Sequence, residues 1–145
     1  MATALTADFD SSIQNIRATV AYTAATSTVI YAGGLVQLNS SGLAVAAAEG
    51  STYNIVGRAT TALDGTEAAG SIVTVEEGDI YLDSDPVGNG VKQQHVGSAV
   101  YVRSDHEVAV TAGSGAIVGY VTKLATGPYG ASGAIVRCTL EATLP

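Results

Sequence analysis

The chain has 145 residues and a formal net charge of −7, with 47% hydrophobic and only 13% charged residues. This length fits one domain, and because Trp is absent and Phe occurs once, the core must consist of aliphatic residues and Tyr. The six basic residues are scattered, so the sequence offers no basic patch that would neutralise phosphates, and nucleic-acid binding is not expected.

The first 17 residues differ from the rest, because isolated apolar residues stand in a polar stretch. Ile13 and Ile16 fit one face of a short helix, but an extended arm fits them equally well. The only Phe, Phe9, either anchors this stretch on a partner or packs on its own domain. We therefore predict an N-terminal arm, residues 1–17, and one domain, residues 18–145, with no signal peptide.

Strands are predicted throughout the domain, because short segments rich in β-branched and aromatic residues alternate with Gly-, Asn- and Asp-containing turns. In chain order the predicted strands are 18–31, 35–38, 43–47, 53–60, 71–83, 99–103, 107–111, 116–124 and 133–140. Glu77-Gly78 is expected to interrupt the fifth strand with a bulge or a turn. Residues 84–96 and 125–132 are the expected long loops. This pattern is typical of an all-β barrel or sandwich.

A β unit occurs twice in the sequence. The matching blocks, at shifts of 64, 62 and 63, are 35–38 with 99–102, 55–59 with 117–121, and 70–73 with 133–136. Three blocks in one order predict an internal pseudo-repeat, with halves at about 34–75 and 97–138, inside a single domain. A β protein rich in Gly, Ala and Val can also align with itself by composition alone.

Candidates for chemistry are few. His95 lies in a predicted loop, and His106 lies in a predicted turn between Asp105 and Glu107. No G-x-S-x-G motif accompanies them, so we expect no catalysis by either histidine. Asp83-Ser84-Asp85 lacks the closing glutamate of a calcium loop and is expected to form a solvated acidic turn. We expect no catalytic residue, no metal site and no cofactor.

Two further features of the sequence bear on the cellular compartment in which the protein folds. The longest apolar run, residues 43–48, is far shorter than the roughly 20 residues that a membrane helix requires, so no membrane partner is expected. Cys138 is the only cysteine, which excludes an internal disulfide and indicates a small buried apolar residue. The chain is expected to be made and to fold in a cytoplasm.

Glycines followed by β-branched residues recur in six segments, and the order and spacing of these segments carry a likeness to a known family. The segments are 32–38, 55–59, 69–78, 97–102, 117–121 and 134–140. In this respect the chain resembles the small capsid cement, or head-decoration, proteins of tailed bacteriophages. The resemblance covers about residues 32 to 140.

The resemblance implies a compact β-barrel or β-tulip-like domain that assembles as a homotrimer on the outer surface of an expanded icosahedral capsid. It implies a non-enzymatic virion protein that stabilises the head against internal DNA pressure. The implied partners are the major capsid protein and neighbouring cement subunits. The arm would contact the capsid through Phe9, Ile13, Ile16 and Arg17.

The alternative function is a carbohydrate-binding or adhesin-like β module on a virion or cell surface. Tyr129, in the Gly-Pro-Tyr-Gly loop, would then provide a platform for sugar stacking. Sugar sites usually combine several aromatic residues, whereas most tyrosines of this chain fall inside predicted strands, where packing is the simpler interpretation.

Overall fold

The computed structural model describes residues 4–9, 14–49, 54–85, 90–111, 115–127 and 131–138. The described residues form eleven strands and one short 3-10 helix, Gln93–His95. The strands are β1 Gln14–Thr23, β2 Val29–Ile30, β3 Leu35–Leu38, β4 Ala44–Ala46, β5 Ile55–Ala59, β6 Leu63–Asp64, β7 Ile72–Ser84, β8 Ala99–Val102, β9 Glu107–Ala109, β10 Ile117–Thr126 and β11 Ser132–Cys138. The predicted all-β class is confirmed.

Five strands close into a barrel in the order β7-β9-β8-β10-β11 and back to β7. The β7–β9 pair is parallel, and the other four pairs of the ring are antiparallel. Inside the ring lies a core of fully buried aliphatic side chains, among them Ile80, Leu82, Val100 and Val118. The predicted compact barrel is thus confirmed.

The remaining strands extend the sheet from the first half of β7. Strands β5, β3 and β4 follow on one edge of β7, and β1 pairs along its other edge, since Val75 pairs with both Ala59 and Val20. A second core, including Ile30, Val36 and Val73, lies under these strands, and β2 and β6 form a small separate ribbon. Strand β7 therefore belongs to both cores.

The two halves of the chain repeat one pairing scheme. In the first half β3 pairs with β4 and β5, and β5 pairs with β7; in the second half β8 pairs with β9 and β10, and β10 pairs with β11. The registers correspond as well, because Val36 faces Gly57 and Val100 faces Gly119, each beside a register shift. These positions differ by 64 and 62, the shifts found in the sequence.

The third block of the sequence match is wrong by two residues. Ala59 pairs with Val75, and the matching residue Val121 pairs with Val136, so the shift between the closing strands is 61. Val136 therefore corresponds to Val75, whereas the sequence match aligned it with Val73. Val73 and Val75 are two residues apart, and both face the core. Either of them matches Val136 by residue type, so the sequence alone could not distinguish the two alignments.

The N-terminal stretch is extended rather than helical where the structure describes it. Strand β1 begins at Gln14, so the expected boundary after Arg17 falls inside a strand, and the helical alternative is wrong from residue 14 onward. The predicted strand 18–31 is divided between β1 and β2 by a turn, in which Ser27 has a φ of +58°. No helix among the described residues is long and apolar enough to cross a membrane.

Strand β7 runs without interruption through Glu77-Gly78, where a bulge or a turn was predicted. The irregularity lies instead in the facing strand, since Gln14 pairs with Asp79 and Ala18 with Glu77. Strand β1 thus contains extra residues opposite Gly78. The sheet is therefore irregular at Gly78, but the extra residues belong to the neighbouring strand β1.

Candidate functional site

The parallel pairing of β7 with β9 brings two acidic stretches together at one end of the barrel. Asp83 and Ser84 pair with Glu107 and Val108. We call this region the acidic end and define it as Asp83, Asp85 and residues 103–107. It contains five of the buried polar residues of the described chain, namely Asp85, Arg103, Ser104, Asp105 and Glu107.

A buried arginine offsets part of this negative charge. The Nε atom of Arg103 lies 3.4 Å from Oδ2 of Asp85, its Nη1 atom lies 3.4 Å from Oε2 of Glu49, and its Nη2 donates to Oγ1 of Thr111 at 3.1 Å. Buried charges of this kind are tolerated when they are paired. The expected solvated turn at residues 83–85 is therefore wrong: Asp83 belongs to β7, and Asp85 is buried against Arg103.

His106 is half-buried among carboxylates. Its Nδ1 lies 3.4 Å from Oδ1 of Asp105, and its Nε2 lies 4.0 Å from Oδ2 of Asp83. Burial acts to lower the pKa of His106, but the hydrogen bond to Asp105 and the charges of Glu107, Asp105 and Asp83 outweigh it and raise the pKa above the ordinary 6.5. The imidazolium form is thus more favoured here than in an ordinary histidine.

The side chains around His106 do not form a catalytic triad. Oγ of Ser104 lies 3.2 Å from Nδ1 of His106, the same ring nitrogen that Asp105 approaches. A triad needs the carboxylate and the hydroxyl on opposite ring nitrogens, and the carboxylate on the Nε2 side, that of Asp83, lies 4.0 Å away, beyond hydrogen-bond distance. His95 lies apart, where its Nδ1 accepts a hydrogen bond from the Lys92 amide, and no three His, Cys, Asp or Glu residues of the described chain are grouped to hold a metal ion.

Residues 4–9, which we call the N-terminal segment, lie across the acidic end. The Leu5 amide donates to Oδ1 of Asp105 at 2.8 Å, and the Phe9 amide donates to the carbonyl of Ala32 at 2.7 Å. Oδ1 of Asp8 accepts a hydrogen bond from the Ala32 amide at 2.9 Å. Between the segment and the barrel lies a cavity of about 350 Å³, bordered by Asp83 and His106.

Phe9 packs on its own domain. Its ring centroid lies 5.2 Å from that of His106, with the planes tilted by 56°, and 6.2 Å from that of Tyr81 in a stacked arrangement. The Tyr81 hydroxyl in turn donates to Oδ1 of Asp83 at 2.6 Å, which fixes that carboxylate beside His106. Of the two interpretations of Phe9, the structure shows packing within the chain.

The other predicted arm residues lie elsewhere. Ile16 and Arg17 are exposed on β1, and Ile13 lies outside the described residues. Within the described chain β1 pairs with β7 alone, and it carries the exposed apolar side chains Ile16, 52% accessible, and Val20, 39% accessible. We call Ile16, Arg17 and Val20 the β1 surface. The structure thus places Ile16 and Arg17 on β1 and Phe9 at the acidic end.

The sequence identified residues of the acidic end but did not show that they lie close together. His106 was considered with Asp105 and Glu107, and Asp83 with Asp85, as separate stretches. When compared with protein-family models, curated proteins and solved structures, the chain has no significant match.

Proposed function

We propose that the protein is a structural component of a bacteriophage virion, which binds the outer surface of the capsid as a homotrimer and stabilises the expanded head against internal DNA pressure. The observation that carries this proposal is the β1 surface. Strand β1 is ten residues long, is held along one edge within the described chain, and exposes Ile16 and Val20.

A long edge strand with exposed apolar side chains favours association with another chain. Natural edge strands are commonly short or protected by charges and prolines, and β1 has Arg17 as its only charged residue and no proline. In the proposed complex the β1 surface contacts the major capsid protein or a neighbouring cement subunit. The closed barrel provides a rigid body that carries this strand.

Stabilisation of the head follows from mass action. A protein that binds the assembled shell, but not its separated subunits, shifts the equilibrium away from disruption. Repeated weak contacts in fixed geometry provide avidity without one tight site. This mechanism needs neither a catalytic residue nor a cofactor.

The test is the loading of expanded capsids that lack the protein. The double variant Ile16→Thr, Val20→Thr keeps β-branched residues in the strand but removes apolar contact area, so loading should fall about tenfold or more. Leu124→Thr is the matched control, because Leu124 is similarly exposed, at 42%, on β10. Bound copies are counted per capsid, and urea unfolding of each variant verifies the fold.

Two results would contradict the proposal. Loading that survives in the double variant but is lost in Leu124→Thr would move the contact to β10 and remove the observation on which the proposal rests. A protein that remains monomeric in light scattering and does not bind capsids would exclude the virion role itself.

Binding to a glycan array by such a capsid-inactive protein would favour the carbohydrate-binding alternative. Tyr129 lies outside the described residues. Of the five tyrosines that the structure describes, Tyr120 alone has more than about a third of its surface exposed.

A further inference from the structure

We infer that copies of this protein join head to tail, with an outer face of the barrel in one copy packed on the open side of the first-half core in the next. We call the first surface the β8–β10 face and define it as Ala99, Tyr101 and Ile117. The second surface, which we call the first-half rim, consists of Val20, Tyr22, Leu38 and Ser41. The inference deepens the homotrimer of the proposed function by naming its contact, and it rests on that function for the number of copies.

The first half of the chain repeats the ring order of the barrel. Val75, in the first half of β7, pairs with Val20 on β1. Its counterpart Val136, on β11, pairs with Ile80 in the second half of β7. The residue that follows β1 forms a parallel bridge to β4, as β7 pairs in parallel with β9. Strand β1 thus corresponds to the second half of β7, at the shift of 60 residues between Val20 and Ile80.

Within the chain, one face of the first half covers part of the barrel core. Leu35 and Ile55 are fully buried and belong to the barrel core, although they lie on β3 and β5. The residues that follow them, Val36 and Val56, belong to the core of the first half. The Leu35 amide donates to the carbonyl of Asp105 at 2.7 Å, which fixes this face on the turn between β8 and β9. Alternate residues of β3 and β5 therefore pack on the two cores.

The β8–β10 face is the counterpart of this covering face. By the shifts of 64 and 62, the residues that correspond to Leu35, Gln37 and Ile55 are Ala99, Tyr101 and Ile117. The three residues of the first half are buried, whereas Ala99, Tyr101 and Ile117 are each only half-buried. The barrel therefore carries a face of the kind that packs on a barrel core, but the described chain contains no third half for it to cover.

The first-half rim is the counterpart of the covered part of the barrel core. At the shifts of 60 and 64, Val20, Tyr22 and Leu38 correspond to Ile80, Leu82 and Val102. The three barrel residues are fully buried. In the first half, Val20 is 39% accessible, and Tyr22 and Leu38 are half-buried at the edge of the core. The rim thus exposes apolar side chains at the positions that are covered in the barrel.

A turn at the rim repeats the turn that holds the two halves together. Both turns are closed by a backbone hydrogen bond from the first amide to the last carbonyl, 2.8 Å long in Asn39–Leu43 and 2.9 Å long in Arg103–Glu107. Ser41 therefore corresponds to Asp105. In a contact between copies that repeats the internal one, the Ala99 amide would donate to the carbonyl of Ser41.

The β8–β10 face and the first-half rim are different surfaces, so each copy offers one of them to each of two neighbours. A head-to-tail contact of this kind forms a ring when the rotation from copy to copy closes. The occupant of each surface is a second copy of this chain, because the contact between the two halves already joins the same two kinds of surface. Three copies would join six related halves in one ring.

Disulfide trapping tests the contact in the free protein. In a Cys138→Ala background, Ala99→Cys and Ser41→Cys place thiols at the two ends of the expected hydrogen bond, whose length brings the Cα atoms within the roughly 4.4–6.8 Å that a disulfide spans. After oxidation, a mixture of the two single variants should give a covalent dimer, and neither variant alone should give one. Leu124→Cys mixed with Ser41→Cys is the control and should give none, because Leu124 is exposed on β10 outside the face.

A charge placed in the β8–β10 face provides a second test. Ala99→Arg should weaken self-association about tenfold or more in light scattering, because the arginine would be buried without a partner, whereas Leu124→Arg should leave it unchanged. A covalent dimer of one single variant with itself, no dimer in the mixture, or unchanged association of folded Ala99→Arg would each overturn the head-to-tail contact. Capsid loading is measured separately, so a protein that loads capsids but fails these tests would keep the proposed virion role without this contact.

Discussion

Two glycines, Gly57 and Gly119, occupy matching positions in the two halves of the chain. A Cβ atom at Gly57 would collide with the carbonyl oxygen of Glu76, and one at Gly119 would collide with that of Arg137. In each half the obstacle is a backbone atom of the closing strand, which cannot rotate away as a side chain could. Close approach of strands thus explains why glycine stands at both positions.

Gly119→Ala should destabilise the protein by about 3 kcal/mol, at the upper end of the range for overpacking, because the obstacle is backbone. Gly70→Ala is the control, since no atom lies within 4 Å of its Cβ position and only its φ of +87° opposes a side chain, which costs about 1–2 kcal/mol. Urea unfolding measures both. Equal losses would show that β10 and β11 can separate at little cost.

At the level of residues, the sequence alone singled out individual side chains but could not show which other residues they contact. Phe9 was recognised as an unusual aromatic residue, but Tyr81 and His106, on which it packs, lie far along the chain and join it only through the fold. The same reason applies to Asp85 and Arg103, whose pairing removes the solvated turn that their polarity predicted.

At the scale of elements, Asp79 links three strands. From β7 its Oδ1 accepts a hydrogen bond from Nε of Arg137 on β11 at 3.1 Å, and its Oδ2 accepts from Nδ2 of Asn15 on β1 at 3.0 Å. Burial acts to raise the pKa of Asp79, but these hydrogen bonds and the charges of Arg137 and Arg17 lower it below the ordinary 3.8. Arg17, which the sequence analysis predicted to contact the capsid, thus favours the charged form of Asp79 within the domain.

Asp79→Asn should lower the free energy of unfolding at neutral pH by about 1 kcal/mol, a small value because Arg137 is half exposed. A carboxylate with a lowered pKa contributes its stability above the unfolded value of 3.8 and loses it as the pH falls through the lower folded value. The difference between wild type and variant should therefore shrink in acid. Urea unfolding at about pH 7 and below pH 3.8 tests this.

A double-mutant cycle with Arg137→Gln provides the control for this prediction. If the two side chains interact as described, the combined loss should be smaller than the sum of the single losses. Strictly additive losses, or a difference that grows in acid, would contradict the role assigned to Asp79.

Most elements could be predicted, because hydrophobic pattern and turn residues are local signals. Strands β3, β4, β8 and β9 fall within the predicted segments, and the first two repeat shifts match the registers. The parallel β7–β9 pair could not be predicted from the sequence, since pairing between distant strands leaves no local pattern. Because this pair forms the acidic end, the acidic end was not predicted either.

At the scale of the whole molecule, the two cores are not independent units. The barrel core and the core of the first half share β7, whose second half closes the ring against β11. Cys138 lies at the end of β11, fully buried in the barrel core. Burial and the charge of Glu77 raise the pKa of Cys138 to about 12, so it is protonated and unreactive in the native state near neutral pH.

Cys138 should therefore react with a thiol reagent only when the barrel opens. In native buffer the labelling rate should follow the unfolding equilibrium, and it should rise with urea in parallel with the loss of circular dichroism. Leu124→Cys, made in a Cys138→Ala background, supplies an exposed thiol as the control. Rapid labelling of Cys138 at full circular dichroism would show that β11 detaches without global unfolding.

The continuity of β7 also has a mechanical consequence. A tension applied along β1 by an attached partner would pass into β7 through paired residues from Thr23 to Ala18, and from β7 into β11 through pairs from Gly78 to Asp83. Both pairings run parallel to such a pull, so their hydrogen bonds would be loaded together in shear rather than opened one at a time. Strand β7 would then transmit the load from β1, at the edge of the sheet, to the closed barrel.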